Sequence, residues 1–454
     1  MAKAKKSIYF CQNCGHEESK WLGQCPMCRE WNTFVEEKVT VSKGTAAKNT
    51  VREAEVVTLS SVSTDQEDRM QTEIEELDRV LGGGVVPGSL VLVGGDPGIG
   101  KSTLLLQVCK RLSDQGRKVL YISGEESLKQ IKLRANRMGT FSDHLLLLCE
   151  TNLETIRQVI EREHPAVAVI DSIQTMYMEA LDSAPGSVSQ VRACGNELMR
   201  VGKTYNIPIF IVAHVTKSGE LAGPKIVEHL VDCVLHFTGE RNQELRILRA
   251  FKNRFGTTSE IGAFEMAEEG LIEIENLSKS FLEGMEEGAE GSMAGAVYEG
   301  TRPLLLEVQA LAAPTNVGFA RRSAIGVELS RLNMILAVLE RKAGLSLINQ
   351  DIYVNIVGGL RPEGTSVDLA VALAIYSTCK GIPCSGKTIA IGEIGLTGDL
   401  RSVQNSEKIA REAARMGFER ILMPEKNAAK LKAADVAGIR IVGVKRLADA
   451  IREF

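Results

Sequence analysis

The sequence predicts an α/β protein: a P-loop core on a mostly parallel sheet, preceded by a small zinc knuckle and followed by a separate α+β unit. Three observations carry that expectation. From Leu77 to Glu275 short apolar runs alternate with longer amphipathic ones, the pattern of strands buried on both faces and joined by crossover helices. The first run ends in GDPGIGKS, Gly95 to Ser102, which fits G-x-x-x-x-G-K-[ST] and opens the helical stretch STLLLQVCKRL. Four of the 10 Cys, namely Cys11, Cys14, Cys25 and Cys28, crowd the N-terminus and mark it as a unit with its own chemistry.

Taken in order, residues 1–37 hold these cysteines and form the expected C4 zinc finger, and 38–56, polar and without apolar periodicity, the expected linker. The α/β core spans 57–275, with strands expected at Ser89 to Gly94, Lys118 to Ser123, Leu145 to Cys149, Ala166 to Ile170, Ile207 to Ala213, Cys233 to Phe237 and Leu245 to Phe251. A second linker is expected at 276–292, NLSKSFLEGMEEGAEGS, because Gly and Glu crowd it. In 293–454 strand-like runs at Pro303 to Leu311, Asp351 to Val357, Thr388 to Ile394, Arg420 to Met423 and Ile439 to Val444 alternate with helices at Glu328 to Ala343, Ser366 to Cys379 and Ser406 to Met416.

Composition excludes several classes. Over 454 residues, 44% hydrophobic and 25% charged content is that of a folded soluble chain, not of a collagen-like or low-complexity one. No apolar run approaches the roughly 18 residues of a membrane span, and MAKAKKSIYF lacks the apolar stretch of a secretory signal. A cytoplasmic location, no membrane partner, and thiols instead of disulfides are therefore expected. With 54 Lys plus Arg against 58 Asp plus Glu, the net charge of −4 leaves nucleic-acid binding to local patches.

The nucleotide site is expected at Gly95, Asp96, Pro97, Gly98, Ile99, Gly100, Lys101, Ser102 and Thr103. Glycines let backbone N–H groups close on phosphates, Lys101 reaches the β- and γ-phosphates of ATP, and Ser102 ligates Mg²⁺. Asp171, ending the run AVAVID, supplies the carboxylate that holds Mg²⁺ through water, and ISGEES offers Glu125, with Glu126 as the alternative, to orient the attacking water. No G-x-G-x-x-G follows the strand, so a dinucleotide site is disfavoured. Cys11-x2-Cys14 and Cys25-x2-Cys28 bring four thiolates to a tetrahedral Zn²⁺, and Trp21 and Trp31 are expected in the local core of that knuckle. The other cysteines read as buried structural thiols.

Thr72 to Thr103, together with YISGEES, VIDS, IVAHVTK and KNRFG, resembles the RecA-like ATPase core. With its cysteines and its last unit the whole chain resembles a family of bacterial DNA repair ATPases. The resemblance implies that Glu125 is the catalytic glutamate and that His214 senses the γ-phosphate. It places the DNA-facing loop at Thr216 to Ile226, with Lys217 and Lys225, and makes Arg192 and Arg200 weaker DNA contacts. Lys252 and Arg254 of KNRFG would reach the neighbouring subunit's nucleotide, and likeness to DnaB-type ring helicases implies a homohexamer. The implied function is an ATP-dependent motor of recombination and repair that binds single-stranded and branched DNA and promotes strand exchange with the RecA recombinase.

The last unit resembles the proteolytic domain of Lon proteases. Arg361 to Ala374 matches the segment that carries Lon's nucleophile, with Ser366 at that position, but Glu407 stands where the lysine base belongs and Lys408 is one residue off. One residue along a helix turns a side chain by about 100°, so a scaffold or DNA-binding role is expected in place of proteolysis. Arg321, Arg322, Arg331, Lys342, Arg361 and Lys387 are candidates for a basic face. The alternatives to the motor are a Lon-type ATP-dependent protease and a nucleotide-switched binding protein.

Overall fold

The computed structural model describes residues 6–11, 16–39, 69–213, 226–239, 244–315, 320–358, 360–362, 364–431, 436 and 438–454. The chain forms two compact units, Met1–Glu273 and Ile274–Phe454. His214, Lys217, Lys225 and Cys14, and nearly all of the 38–56 segment, lie outside the described residues.

The first unit opens with a three-stranded antiparallel sheet of β1 (Lys6–Cys11), β2 (Glu17–Glu18) and β3 (Phe34–Val39), in the order β2-β1-β3. Among the described residues its buried cluster is Cys11, Cys25 and Phe34, with Tyr9 and Cys28 packed against it. Trp21 and Trp31 are 53% and 68% exposed; they are surface groups, not the core expected of them. The opposite flank docks on the rest of the unit, Phe10 packing with Val188, Ile8 and Leu230.

After α1 (Glu75–Leu81) comes the nine-stranded sheet that positions the P-loop. Its parallel strands are β4 (Leu90–Gly95), β5 (Val119–Ser123), β6 (Leu145–Cys149), β7 (Val167–Asp171), β8 (Ile209–Val212) and β9 (Cys233–Thr238). An antiparallel extension follows in β10 (Leu245–Asn253), β11 (Ile261–Ala267) and β12 (Gly270–Glu273), giving the order β12-β11-β10-β9-β4-β8-β7-β5-β6. β4, β5, β7 and β8 are buried at every position, as their unbroken apolar runs require. The crossover helices are α2 (Lys101–Asp114), α3 (Leu128–Arg137), α4 (Leu153–Glu163), α5 (Val188–Tyr205) and α6 (Ile226–Leu230). Side-chain caps at Ser127, Asn152 and Ser187 start α3, α4 and α5.

The second unit begins with α7 (Leu277–Leu282), β13 (Ser292–Glu299), β14 (Arg302–Pro314), β15 (Arg322–Ile325), α8 (Leu329–Ala343) and β16 (Gln350–Ile356). It continues with α9 (Asp368–Lys380), β17 (Thr388–Ala390), β18 (Glu393–Ile394), β19 (Leu400–Arg401), α10 (Ser406–Arg415), β20 (Arg420–Pro424), α11 (Glu425–Ala428), β21 (Arg440–Val444) and α12 (Leu447–Glu453). Its main sheet runs β15-β16-β14-β13-β17-β20-β21, mixing parallel and antiparallel pairs. Two expectations need correction. The 276–292 stretch is not a plain linker: α7 lies in it and buries Leu277 and Phe281, while the Ser278 hydroxyl accepts the Leu305 N–H at 3.0 Å. The run Thr388 to Ile394 is two strands, because Glu393 and Ile394 leave the main sheet to pair with Arg401 and Leu400. Among the described residues no helix is long and apolar enough to cross a membrane.

Candidate functional site

β4 delivers the chain to the carboxyl end of the sheet at Gly95, where φ is +145° and an added Cβ would sit 2.9 Å from the Phe237 carbonyl oxygen. Only glycine fits there. Gly98 follows with φ +82°, and α2 starts at Lys101 behind Gly100, with no side chain capping its first amides. Those unclaimed N–H groups at the positive end of a 14-residue helix suit a phosphate. Asp96, Pro97 and Gly98 are exposed, Ile99 is buried as the loop's anchor, and Ser102 and Thr103 are half-buried in the first helical turn.

The Lys101 ammonium is 4% exposed and donates to the carbonyls of Gly95 at 2.7 Å and Asp96 at 2.9 Å. Burial lowers its pKa to about 8, against the charges of Asp171, Asp96 and Glu125. Asp171 closes β7, is 6% exposed, and accepts the Tyr121 hydroxyl at 2.5 Å. Burial and the neighbouring Asp171 push the Tyr121 phenol far up, so it stays a donor. Glu125 and Glu126, which spacing alone does not tell apart, part here. Glu125 accepts the Ser172 hydroxyl beside Asp171, whereas the Glu126 carboxylate turns to Arg134 on α3 and the Glu126 backbone N–H donates to the Ser123 hydroxyl oxygen at 2.9 Å.

A further site residue escaped the sequence reading. His236 lies on β9 opposite Gly94 of the P-loop strand, stacked on Phe251 with ring centroids 5.1 Å apart and planes 14° from parallel. Its Nδ1 is buried without a hydrogen-bond partner among the described residues. Burial lowers its pKa, Lys101 pulling the same way and Asp96 opposing. Nothing in the local run CVLHFT says that β9 neighbours β4; that pairing spans most of the unit.

KNRFG lies at the other end of the sheet. Asn253 pairs with Cys233, which pairs with Val91 near the start of β4. At about 3.3 Å per residue, that start is about 13 Å from the P-loop along the strand. The Lys252 ammonium donates to the α6 carbonyls of Glu228 at 2.8 Å and His229 at 3.2 Å, and Arg254 pairs with Asp232 at 3.2 Å. The candidate DNA contacts on α5 are paired within the chain: Arg192 with Glu17 of the knuckle at 2.7 Å, Arg200 with Glu197 at 2.5 Å.

In the knuckle the sulfurs of Cys11, Cys25 and Cys28 all lie within 4.8 Å of one another, Cys11 and Cys28 at 3.6 Å. Tetrahedral zinc with Zn–S bonds of about 2.3 Å sets neighbouring sulfurs about 3.8 Å apart. The three described thiols therefore fit a zinc site.

Three family matches cover separate parts of the chain: "Rubredoxin metal binding domain" at 9–36, "AAA domain" at 54–220 and "Subunit ChlI of Mg-chelatase" at 314–427. Full-length relatives are decisive. The chain is 49% identical to DNA repair protein RadA of Halalkalibacterium halodurans over 99% of both chains. It is 50% identical to DNA repair protein RadA of Bacillus subtilis and of Listeria monocytogenes, over 100% of this chain and 99% of each relative. The chain belongs to the RadA family. Its second unit, in this RadA-family setting, keeps a cleft of about 350 Å³ lined by Tyr298, Thr365, Ser366, Glu393, Gln404 and Asn405, among others. Ser366 at that cleft donates to the Ala296 carbonyl at 2.8 Å. Lys408 donates to the Tyr298 hydroxyl at 2.7 Å, and Glu407 pairs with Arg411 at 2.5 Å. The candidate basic face is broken up, since Arg331 is clamped on buried Asp368, Arg322 binds the Leu347 and Gln350 carbonyls, and Lys387 pairs with Glu419.

Proposed function

We propose that the chain is an ATP-dependent DNA motor of homologous recombination and repair, working as a homohexameric ring. It binds single-stranded and branched DNA, hydrolyses ATP, and promotes strand exchange and branch migration with the RecA recombinase in the cytoplasm. The observation that carries this reading is the opposed placement of two charge sets on one sheet. Lys101, Asp171 and Glu125 gather at the carboxyl end of β4, β5 and β7, while Lys252 and Arg254 stand at the far end of β4. The latter stand about 13 Å along the strand from their own P-loop, which supports a role at the P-loop of an adjoining copy, as a cation supplied in trans has in phosphoryl transfer.

In this reading the α2 amides and Lys101 bind the phosphates of ATP, the phosphates taking over the bonds that Lys101 now gives to loop carbonyls. Ser102 and Asp171 would hold Mg²⁺, which would supply positive charge to offset that of the phosphates. Glu125, braced by Ser172, orients the attacking water, and Lys252 and Arg254 of the adjoining copy meet the charge that develops. We assign 1–37 as the C4 zinc finger, Cys14 being the fourth ligand, 57–275 as the motor, and the Lon-like part of 293–454 as scaffold. His214 as γ-phosphate sensor and Lys217 and Lys225 as DNA contacts belong to the same proposal; Arg192 and Arg200 would have to leave Glu17 and Glu197 to join them. A protease reading has no support from Ser366, whose hydroxyl is committed to a carbonyl instead of a base.

The test is steady-state ATP hydrolysis across protein concentration, with and without single-stranded DNA. A rate that rises steeply with both, and is lost in Lys101→Ala, is expected. A flat rate indifferent to DNA would overturn the motor and leave a nucleotide switch.

A further inference from the structure

Asp232, between α6 and β9, is 4% exposed, and both of its carboxylate oxygens are in use. Oδ2 accepts the backbone N–H of Leu90 at 3.1 Å and the Lys203 ammonium at 2.9 Å; Oδ1 accepts Arg254 Nη1 at 3.2 Å. The backbone of Asp232 repeats the pattern. Its N–H donates to the Leu90 carbonyl at 3.0 Å and its carbonyl accepts the Arg254 N–H at 3.1 Å. One buried residue thus ties the first residue of the P-loop strand to the arginine of KNRFG, by main chain and side chain at once.

The Arg254 side chain remains 56% exposed, and a guanidinium carries five N–H donors, so the bond to Asp232 leaves most of its face open. Lys203, also half exposed, binds Oδ2 while Arg254 binds Oδ1, so the two cations share the carboxylate without displacing each other. Burial alone would raise the Asp232 pKa; the contacts from Lys203, Leu90 and Arg254 outweigh it and hold the carboxyl below its usual range, so the anchor stays charged at neutral pH.

We propose that Asp232 is the positioning residue for Arg254, fixing the guanidinium to the base of β4 so that it meets the nucleotide of the adjoining copy in a set geometry. This rests on the reading above that Arg254 acts in trans. A misplacement of about 1 Å in a catalytic group can cost on the order of a hundredfold, so Asp232→Asn, which keeps the shape and the Leu90 contact but drops the charge, is expected to lower kcat tenfold or more, with little change in KM for ATP.

A double-substitution cycle on the full-length chain tests this. Asp232→Asn, Arg254→Ala and the pair are compared for kcat and KM with saturating oligo-dT, and melting is followed in parallel. If Asp232 acts through Arg254, Asp232→Asn lowers kcat in the parent and costs nothing further in the Arg254→Ala background. An equal loss in both backgrounds makes Asp232 merely structural and overturns the proposal, as does an unchanged kcat in Asp232→Asn while Arg254→Ala is impaired. An Arg254→Ala chain with parental kcat overturns the trans reading itself, and the proposal with it. Should Asp232→Asn fail to fold, Asp232→Glu replaces it: the charge stays, the guanidinium is displaced by one methylene, and the same loss confined to the Arg254 background is expected.

Discussion

Tyr121→Phe isolates the hold on Asp171. The ring is 1% exposed and its hydroxyl donates to an Asp171 that is itself 6% exposed. Phenylalanine fills the same volume, so the cavity cost of a large-to-small change is absent. What is lost is a hydrogen bond to a buried carboxylate, worth about 1.5–3 kcal/mol. At about 2–4 °C per kcal/mol for a unit of this size, melting of the first unit should fall by about 3–12 °C. The functional effect is sharper. Asp171 is one of two side chains proposed to hold Mg²⁺, and loss of an orienting partner behind such a ligand commonly costs about 10–100-fold in metal affinity or activity. The Mg²⁺ concentration for half-maximal ATP hydrolysis should rise about tenfold or more. The rise should be independent of pH across the neutral range, since the phenol remains protonated there. Scanning calorimetry and a Mg²⁺ titration of ATP turnover measure both. Unchanged melting together with an unchanged Mg²⁺ requirement would refute the argument that Tyr121 holds Asp171.

Three further outcomes are expected. The Lys101 pKa, lowered to about 8, means the free protein loses the ammonium on going from pH 7 to 9, so ATP affinity by calorimetric titration should fall over that interval and the Lys101→Arg chain should show a flat profile. Phe281→Ala, emptying a buried site in a segment that reads as linker, should destabilise the second unit by about 3–5 kcal/mol in a denaturant melt; a loss below about 1 kcal/mol would mean that α7 is not part of the core. The knuckle is held to the rest of the first unit by Phe10 on Val188 more than by the exposed Glu17–Arg192 pair, which is worth about 0–1 kcal/mol; Phe10→Ala should therefore speed amide exchange in the first turn of α5, and Glu17→Ala should not.

What was legible in the residues is what local chemistry dictates. The P-loop could be read because its glycines, Lys101 and Ser102 work within one turn, and β4 to β8 because an unbroken apolar run has few other uses. Spacing alone did not separate Glu125 from Glu126, and only the resemblance favoured Glu125; the physical difference lies in Arg134 and Ser172, reached across helix and strand. Trp21 and Trp31 were misjudged because a metal-held knuckle needs little apolar core, so its aromatic residues stay on the surface. The 276–292 stretch failed for the opposite reason: a Glu- and Gly-rich composition hides the Leu277 and Phe281 pair that buries one short helix.

Sheet order is the part that no local pattern carries, and it is where the functional argument turns. β4 is far in the chain from the consecutive strands β9 and β10, yet their pairing puts His236 beside the P-loop and Arg254 at the opposite end of the strands. A P-loop protein acting alone would gain nothing from cations about 13 Å away along its own strand. The same separation would become useful in the proposed ring, if the far strand ends of one copy met the P-loop end of the next. Hydrolysis would then require the neighbour, and a carboxylate such as Asp232, bonded both to the P-loop strand and to the distant arginine, stands at the point where the two ends of one copy are held in register.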